Sequence, residues 1–274
     1  MSAATWGGSD FVGGMGARRA PALLVVISGH LFSFLVLLAL CVATHSTQAG
    51  LRPLLFAAVG GFEGAVALAV FYRALAMGAM GLTAALTGLL TALVPVLFSL
   101  VHEGLPTVLT MVGLAMGLGA IWLITHTPAS NDSEATKRGT PPLALLLGAL
   151  AGCGFGTQLI LFKMAGSANV LWVMTWARAA GVAAILLCLL VMPPKGPWRG
   201  FWLTGIVAGS LDTIGNLFYL ETTRWGRLDV AAVVCSLYPA GTILLAALVL
   251  REWPTRRQLA GMCLALAAVA LMSR

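Results

Sequence analysis

The stretch PALLVVISGHLFSFLVLLALCVA, residues 21–43, contains no Lys, Arg, Asp or Glu. A helix needs about 20 predominantly apolar residues to cross the hydrocarbon core of a bilayer, which is about 30 Å thick. This stretch is long and apolar enough for one crossing. It predicts that the chain is an integral membrane protein.

The composition extends this prediction to the whole chain. Of the 274 residues, 59% are apolar and only 9% are charged, and the mean hydropathy is +0.96. Soluble domains carry roughly 25% charged residues. Because this chain has too few charged side chains to cover a water-facing surface, we expect the lipid bilayer to surround most of the fold.

The net charge of +7 would suggest a nucleic-acid partner in a soluble protein. Here the basic residues lie mostly between apolar stretches, as in loops that flank a membrane. We therefore expect no nucleic-acid partner. The cysteines lie inside apolar stretches without a CxxC pair, so the sequence predicts no disulfide framework, no metal site and no cofactor.

Charged residues, prolines and polar clusters divide the chain into ten predicted spans. The predicted fold class is an all-α integral membrane protein with ten transmembrane helices, arranged as two inverted five-helix repeats. The first span is the shortest, since sixteen residues give about 24 Å of helix. The spans are 2–17, 21–43, 53–76, 80–101, 107–125, 142–163, 169–191, 201–221, 229–250 and 256–272.

A hydrophilic stretch, HTPASNDSEATKRGTP at 126–141, separates five spans from the other five. It predicts a polar linker between a first repeat, 1–125, and a second repeat, 142–274. Because each half contains an odd number of spans, the second half would enter the membrane from the opposite side. Inverted repeats of this kind are typical of secondary transporters.

The two halves also share residues at a near-constant offset. The turn EGLPT at 103–107 resembles EWPT at 252–255, whereas Pro95 and Pro239 are 144 residues apart and imply a length difference in the fourth span. The offset therefore favours a duplication. Offsets of 148, 148, 147 and 149 residues separate the pairs Gly8 and Gly156, His30 and Arg178, Tyr72 and Tyr219, and Glu103 and Glu252.

Three motifs resemble the EamA-type members of the drug/metabolite transporter superfamily. They are WGGSDFVGGMGARR at 6–19, FYRALAMG at 71–78 and SLYPAGTILLAALVLREWPTRRQLAGMCLALAAVAL at 236–271. The resemblance covers nearly the whole chain, and it implies export of amino acids, metabolites or drug-like compounds. It also implies that the first helix lies beside a central cavity. The chain departs from the family in its short first helix.

Asp10 and Trp6 lie one helical turn apart, on the same face of the first span. An ionisable group at the centre of a bilayer costs about 2.5 to 3.5 kcal/mol, so it must be paired or hydrated. In one interpretation both residues bind substrate, with Trp6 stacking on it and Asp10 attracting a cation or a proton. In the other, Asp10 is a carboxylate near the interface of a short span.

Glu63 lies near the middle of the third span among Gly60, Gly61 and Gly64. Small residues allow a neighbouring helix to approach closely. One hypothesis is that Glu63 binds substrate or couples transport to a proton. The alternative is a structural hydrogen bond to that neighbouring helix.

Asp212, Asn216 and Tyr219 follow one another at positions i, i+4 and i+7, which places them on one face of the eighth span. A polar stripe of this kind favours a wet interior over lipid, so we predict that all three bind substrate. Arg178 could instead neutralise Asp212. The resemblance implies a structural role for Arg178, and a lone histidine such as His30 is typically a hydrogen-bonded core residue.

Weaker signals come from isolated polar residues in other spans. Gln158 and Tyr238 are further predicted substrate-binding residues. The stripe Thr83, Thr87 and Thr91 lines the cavity in one interpretation and bonds to its own helix backbone in the other. The run GCGFG at 152–156 lies inside an apolar span, which favours helix packing over a nucleotide-binding loop.

Basic residues are more frequent on the side of the membrane that receives Arg18 and Arg256 than on the side that receives Arg52 and Arg224. This bias places the first side in the cytoplasm, and hence both termini outside. The family resemblance implies the opposite orientation, with both termini inside. The sequence therefore leaves the orientation open.

Together these patterns predict a non-enzymatic secondary transporter of the bacterial-type inner membrane. Its expected partners are a small-molecule substrate and the lipid bilayer, with possible coupling to protons, and we expect a monomer or a homodimer. No ATP-binding GxxxxGK[ST] motif occurs, and neither HExxH nor GxSxG supports an intramembrane enzyme. A channel or facilitator remains the alternative, because the same polar interior could stay open.

Overall fold

The computed structural model describes residues 1–48, 50–77, 80–125, 141–166, 169–194, 200–250 and 256–272. Every regular element in these ranges is an α-helix, as the sequence predicts. The linker at 126–141, apart from Pro141, and Glu252 lie outside the described residues. The helices are α1 (Ser2–Ala17), α2 (Ala22–Ala43), α3 (Leu51–Met77), α4 (Met80–His102), α5 (Val108–Thr125), α6 (Pro142–Ala165), α7 (Val170–Val191), α8 (Phe201–Trp225), α9 (Leu228–Cys235), α10 (Tyr238–Leu250) and α11 (Arg256–Met272).

The predicted ninth span, 229–250, is interrupted in the structure. Helix α9 ends at Cys235 and α10 begins at Tyr238. Pro239 is the second residue of α10, and its ring nitrogen cannot donate the hydrogen bond that would continue α9. Pro95 lies within α4, which continues through it. The prediction of one continuous helix is therefore wrong at this point.

Four described helices are long and apolar enough to cross a membrane by length and composition alone: α2, α3, α6 and α7. Shorter apolar segments occur at 86–102, 108–120 and 228–242. Large apolar side chains also face outward, including Leu35, Leu150 and Leu248 at 55%, 58% and 75% exposure. In water such a surface would be unfavourable, whereas acyl chains solvate it.

The helices of the two halves pack against each other more than within each half. Helix α3 contacts both α6 and α7, and α8 contacts both α1 and α2. In addition, α2 packs on α7, α5 on α11, α4 on α6 and α1 on α10. Each helix of the first half therefore has a major partner in the second half.

Two helix crossings have almost no side chain between the backbones. Where α2 crosses α8, a Cβ added to Gly29 would lie 2.8 Å from the Cα of Gly209. Where α3 crosses α7, a Cβ added to Gly61 would overlap the backbone of Ala177. Small residues at these positions allow the close approach that packs helices together in a bilayer.

A polar cluster joins the loop after α4 to the loop before α9. Its members, Arg227, Asp229, Glu103 and Ser99, are called here the Arg227 cluster. Arg227 Nη2 donates to Asp229 Oδ2 at 3.0 Å and to the Gly104 carbonyl at 2.8 Å. Glu103 Oε2 accepts from Ser99 Oγ and from the Leu228 backbone N–H. The hydrogen bonds to Asp229 hold the pKa of the Arg227 guanidinium above its usual value, so this residue stays charged.

Candidate functional site

A small cavity lies between the two halves and receives side chains from six helices. Its free space for the centres of water-sized molecules is about 40 Å³, which is room for about three waters. Six of the predicted substrate-binding residues contribute to its walls, together with Leu68, Thr91, Phe155 and Leu159: these six are Trp6, Asp10, Gln158, Asp212, Asn216 and Tyr238.

A buried ion pair holds Asp212, one of the residues that line the cavity. Arg178 Nη2 on α7 lies 2.6 Å from Asp212 Oδ2 on α8, and their side chains are 5% and 16% exposed. Asn216 Nδ2, one turn along α8, donates to Asp212 Oδ1 at 3.1 Å. The ion pair between Arg178 and Asp212 that the sequence analysis considered is therefore present.

His30 belongs to the same network, although the sequence alone indicated an ordinary core histidine. Its Nε2 accepts from Arg178 Nη1 at 3.1 Å, while its Nδ1 donates to the Val26 carbonyl at 3.1 Å. This arrangement requires the neutral imidazole, with the proton on Nδ1. The signal that could have revealed the contact is the 148-residue offset, because His30 and Arg178 occupy matching positions of the two halves.

Asp10 differs from Asp212 because it has no basic partner. The Asp10 residue is only 6% exposed, and within the described residues its carboxylate has neither an ion pair nor a hydrogen bond. The cavity wall therefore includes two carboxylates, Asp10 and Asp212, of which Asp212 pairs with Arg178, a residue outside the wall, while His30 is neutral. One acidic group remains without a counter-charge.

Several other polar atoms around the cavity are buried without a hydrogen-bond partner. Among the described residues these include Trp6 Nε1, Tyr238 Oη, Arg178 Nε and Asn216 Oδ1. An unsatisfied buried polar group costs about 1 to 3 kcal/mol. Trp6, Tyr238 and Asn216 line the cavity together with the unpaired Asp10, so two of these donors and the acceptor form a surface that a polar solute could satisfy.

Glycines on α1 position the aromatic residues beside the cavity. A Cβ on Gly13 would overlap the ring of Tyr72, and one on Gly7 would lie 2.7 Å from the Tyr238 carbonyl. The Trp6 ring packs edge-on against Tyr238, with centroids 6.5 Å apart. The glycines of α1 thus allow neighbouring helices to approach it closely, which keeps Trp6 and Asp10 near α8 and α10.

Tyr219 and Glu63, the other two predicted substrate-binding residues, lie outside the cavity walls. Tyr219 is fully buried, and its hydroxyl donates to the Leu159 carbonyl at 2.9 Å, so it joins α8 to α6. Glu63 is half-buried on α3, and no described residue forms a hydrogen bond or ion pair with it.

The threonine stripe on α4 mainly contacts α6. Thr87 Oγ1 donates to its own helix at Thr83 and across to the Gly148 carbonyl at 2.8 Å. Thr91 Oγ1 donates to the Thr87 carbonyl at 2.8 Å and also lines the cavity. Both interpretations of the stripe therefore hold in part, since Thr87 and Thr91 bond to their own helix and Thr91 also lines the cavity.

Among the described residues, no group of three or more His, Cys, Asp or Glu side chains could hold a metal ion. The cavity residues instead offer donors and acceptors to a solute.

Comparison with solved structures shows the fold. A structure titled "Crystal structure of protein" superposes on this chain with a TM-score of 0.71 at 17% sequence identity, covering 98% of this chain and 96% of the other. At this identity the likeness is one of fold alone. No curated protein matches the sequence.

The family comparison concerns the second half of the chain. Residues 142–274 match the EamA-like transporter family, which is the family that the motifs of the sequence resemble. Members of this family are membrane transporters of the drug/metabolite type. The chain is thus a multi-pass membrane protein whose residues 142–274 belong to the EamA-like transporter family.

Proposed function

We propose that this protein is a secondary transporter that moves a small solute with a cationic group, such as a protonated amine, across the membrane by alternating access. The observation that carries the proposal is Asp10, a buried carboxylate without a counter-charge in a cavity between the two halves. A buried charge is stable only when it is paired or neutralised. A cationic solute or a proton would supply what Asp10 lacks.

We further propose that the scaffold consists of two inverted repeats, 1–125 and 142–274, with ten spans in the inner membrane of a bacterial-type cell. The two glycine crossings support this. Adding the offset of 148 to Gly29 and Gly61 gives Ala177 and Gly209, which are the two residues that these glycines contact. The crossing of α2 with α8 is therefore the counterpart of the crossing of α7 with α3.

The contacts between helices also correspond when each helix is replaced by its counterpart in the other half. The packing of α3 on α6 and α7 corresponds to that of α8 on α1 and α2, and the packing of α4 on α6 corresponds to that of α10 on α1. Inverted repeats provide two related arrangements of the same helices, one open to each side. Alternation between them would expose the cavity to each face of the membrane in turn.

The size of the cavity also favours a moving carrier. A volume for about three water molecules is too small for an amino acid or a drug-like compound. Solute binding would therefore require the walls to separate. Export, and coupling to protons through Asp10, are further parts of the proposal that rest on the family resemblance and on the charge of the cavity.

Counterflow in proteoliposomes tests the proposal. Vesicles with the protein are loaded with a candidate amine found by a thermal-shift screen, because a ligand of the folded state stabilises it. Radiolabelled amine outside should then enter faster than in unloaded vesicles. Asp10→Asn should lower the affinity at least about tenfold, as expected for the loss of a charged hydrogen bond.

Glu63→Gln serves as the matched control, since it also removes a carboxylate from a membrane helix but lies outside the cavity. Equal counterflow by Asp10→Asn and the native protein would contradict the proposed site. Ion currents without accelerated exchange would identify a channel and refute the carrier.

A further inference from the structure

Glu63 is an acidic residue near the middle of α3, far from either end of the helix. Helix α3 runs from Leu51 to Met77, and its 27 residues span about 40 Å. Glu63 is the thirteenth of them, about 18 Å from the helix start. Its carboxylate is therefore near the centre of the hydrocarbon core when α3 crosses the bilayer.

The faces of α3 place Glu63 at the outer edge of a helix contact. One stripe of the helix is exposed and apolar, and another packs on α6. Glu63 lies between the two stripes and is half-buried. The exposed stripe is Leu55, Val59 and Phe62, at 56%, 55% and 42% exposure, and the packed stripe is Gly60, Gly64 and Ala67.

Helix α6 lies close to this carboxylate. A Cβ added to Gly154 would lie 2.9 Å from the Cβ of Ala67 and 3.9 Å from Glu63 Oε1, so Gly154 allows α6 to pack against the face of α3 that carries Glu63. Cys153 and Leu150 on the same part of α6 are exposed. We call the edge of the helix contact where Glu63 lies beside Gly154 the α3–α6 seam, and its surroundings are apolar.

No described cation neutralises Glu63. Lys163, near the end of α6, donates instead to the carbonyls of Thr223 and Gly226 at 2.7 and 2.9 Å. Arg73 is exposed and lies ten residues further along α3, about 15 Å away. An ionised carboxylate in this position costs about 2.5 kcal/mol or more unless a cation or a proton compensates it.

The seam is also separate from the central cavity. The side chain of Gln158 packs directly on Gly64, where any Cβ would overlap its amide. Gln158 also lines the cavity and thus stands between the cavity and Glu63. A molecule at Glu63 would approach from the bilayer.

We propose that the α3–α6 seam is a bilayer-facing binding site for the ammonium group of an amphiphilic amine, with Glu63 as its counter-charge. The exposed apolar stripe of α3 accommodates the alkyl chain, and the ammonium group reaches the half-buried carboxylate of Glu63 from the bilayer side. This site goes beyond the proposed transport function and does not depend on it.

Electron paramagnetic resonance on the full chain in phosphatidylcholine vesicles tests this site. The probes are spin-labelled octadecylamine and, as the neutral reference, spin-labelled octadecanol. The fraction of motionally restricted label reports contact with the protein. The native protein should favour the amine over the alcohol by about fivefold, which corresponds to the upper range for a partly exposed ion pair.

Two variants separate this site from the cavity. Glu63→Gln should abolish the preference for the amine, whereas Asp10→Asn, which changes the cavity carboxylate, should retain it. An unchanged preference in Glu63→Gln would overturn the proposal, and so would its loss in Asp10→Asn alone. Counterflow of Glu63→Gln should remain native, so failure of the seam and failure of the proposed transport function give different results.

A measurement on the native protein covers the case in which Glu63→Gln fails to fold. A lipid-soluble carbodiimide should modify Glu63, as detected by mass spectrometry of the peptide, and octadecylamine should slow the modification whereas octadecanol should not. Modification at equal rates with either additive would refute the site.

Discussion

The Arg227 cluster and the central cavity each hold a buried carboxylate beside an arginine, but only the cluster satisfies its charged groups. Asp229 is fully buried and accepts several hydrogen bonds from Arg227, which also donates to the Gly104 carbonyl. In the cavity, Asp10 has no described partner and Arg178 Nε is unsatisfied. Fully paired charged groups indicate a structural role, whereas buried polar groups without partners indicate a site where a ligand binds.

The largest effect is expected from breaking the ion pair of the cavity. Arg178→Met would leave Asp212 buried without a cation, and we expect it to lower the free energy of unfolding by about 3 to 5 kcal/mol. Titration with SDS in mixed micelles measures this. The double variant Arg178→Met/Asp212→Leu should recover more than half of the loss, and a native stability of Arg178→Met would show that the pair is unimportant.

A smaller effect is expected at the Arg227 cluster. Asp229→Ala removes the carboxylate, but the Arg227 side chain that remains is 31% exposed and water can solvate it, more than the 16% exposed side chain of Asp212 that Arg178→Met leaves unpaired. We expect a loss of about 1 to 3 kcal/mol in the same titration. The test is the ranking of the two variants. A larger loss of stability in Asp229→Ala than in Arg178→Met would show that the exposure of the remaining charged group does not determine the loss.

The smallest effects are expected from two buried tyrosines that differ only in their partners. Tyr219→Phe removes a hydrogen bond to the Leu159 carbonyl and should cost about 0.6 kcal/mol, the average for such bonds between membrane helices. Tyr238→Phe removes a hydroxyl that lies near Thr91 but forms no well-aligned hydrogen bond among the described residues, so it should leave stability nearly unchanged while altering the affinity for the solute. Equal losses of stability in both variants would remove the distinction between paired and unpaired groups.

Much of the architecture was predictable because lipid imposes a simple rule on sequence. Apolar stretches bounded by charged residues or prolines gave helix positions that agree with the structure, such as 21–43 for α2 and 256–272 for α11. The interruption between α9 and α10 was not predictable, since Pro95 and Pro239 look alike locally and only one of them ends a helix. The number of spans stays a prediction.

The cavity was predictable in part because ionisable residues within spans are rare. Asp10 and Asp212 attracted attention for that reason, and both line the cavity. Glu63 satisfied the same criterion but lies at the α3–α6 seam. In a membrane protein the lipid-facing and the inward-facing sides of a helix are both apolar, so periodicity does not tell which side a polar residue faces. The contact of His30 with Arg178 depended on the crossing of helices from different halves.

The offset of 148 residues also links Asp10 to Gln158, Asp212 to Gly64 and Asn216 to Leu68. The positions on α1 and α8 thus include two carboxylates, whereas the corresponding positions on α6 and α3 carry no charged side chain. The cavity consequently has one acidic wall and one neutral wall, although the proposed repeat relates the two sides. In the proposed transporter a cationic solute would enter with its positive end toward α1 and α8, so the two proposed repeats would still bind it in a single orientation.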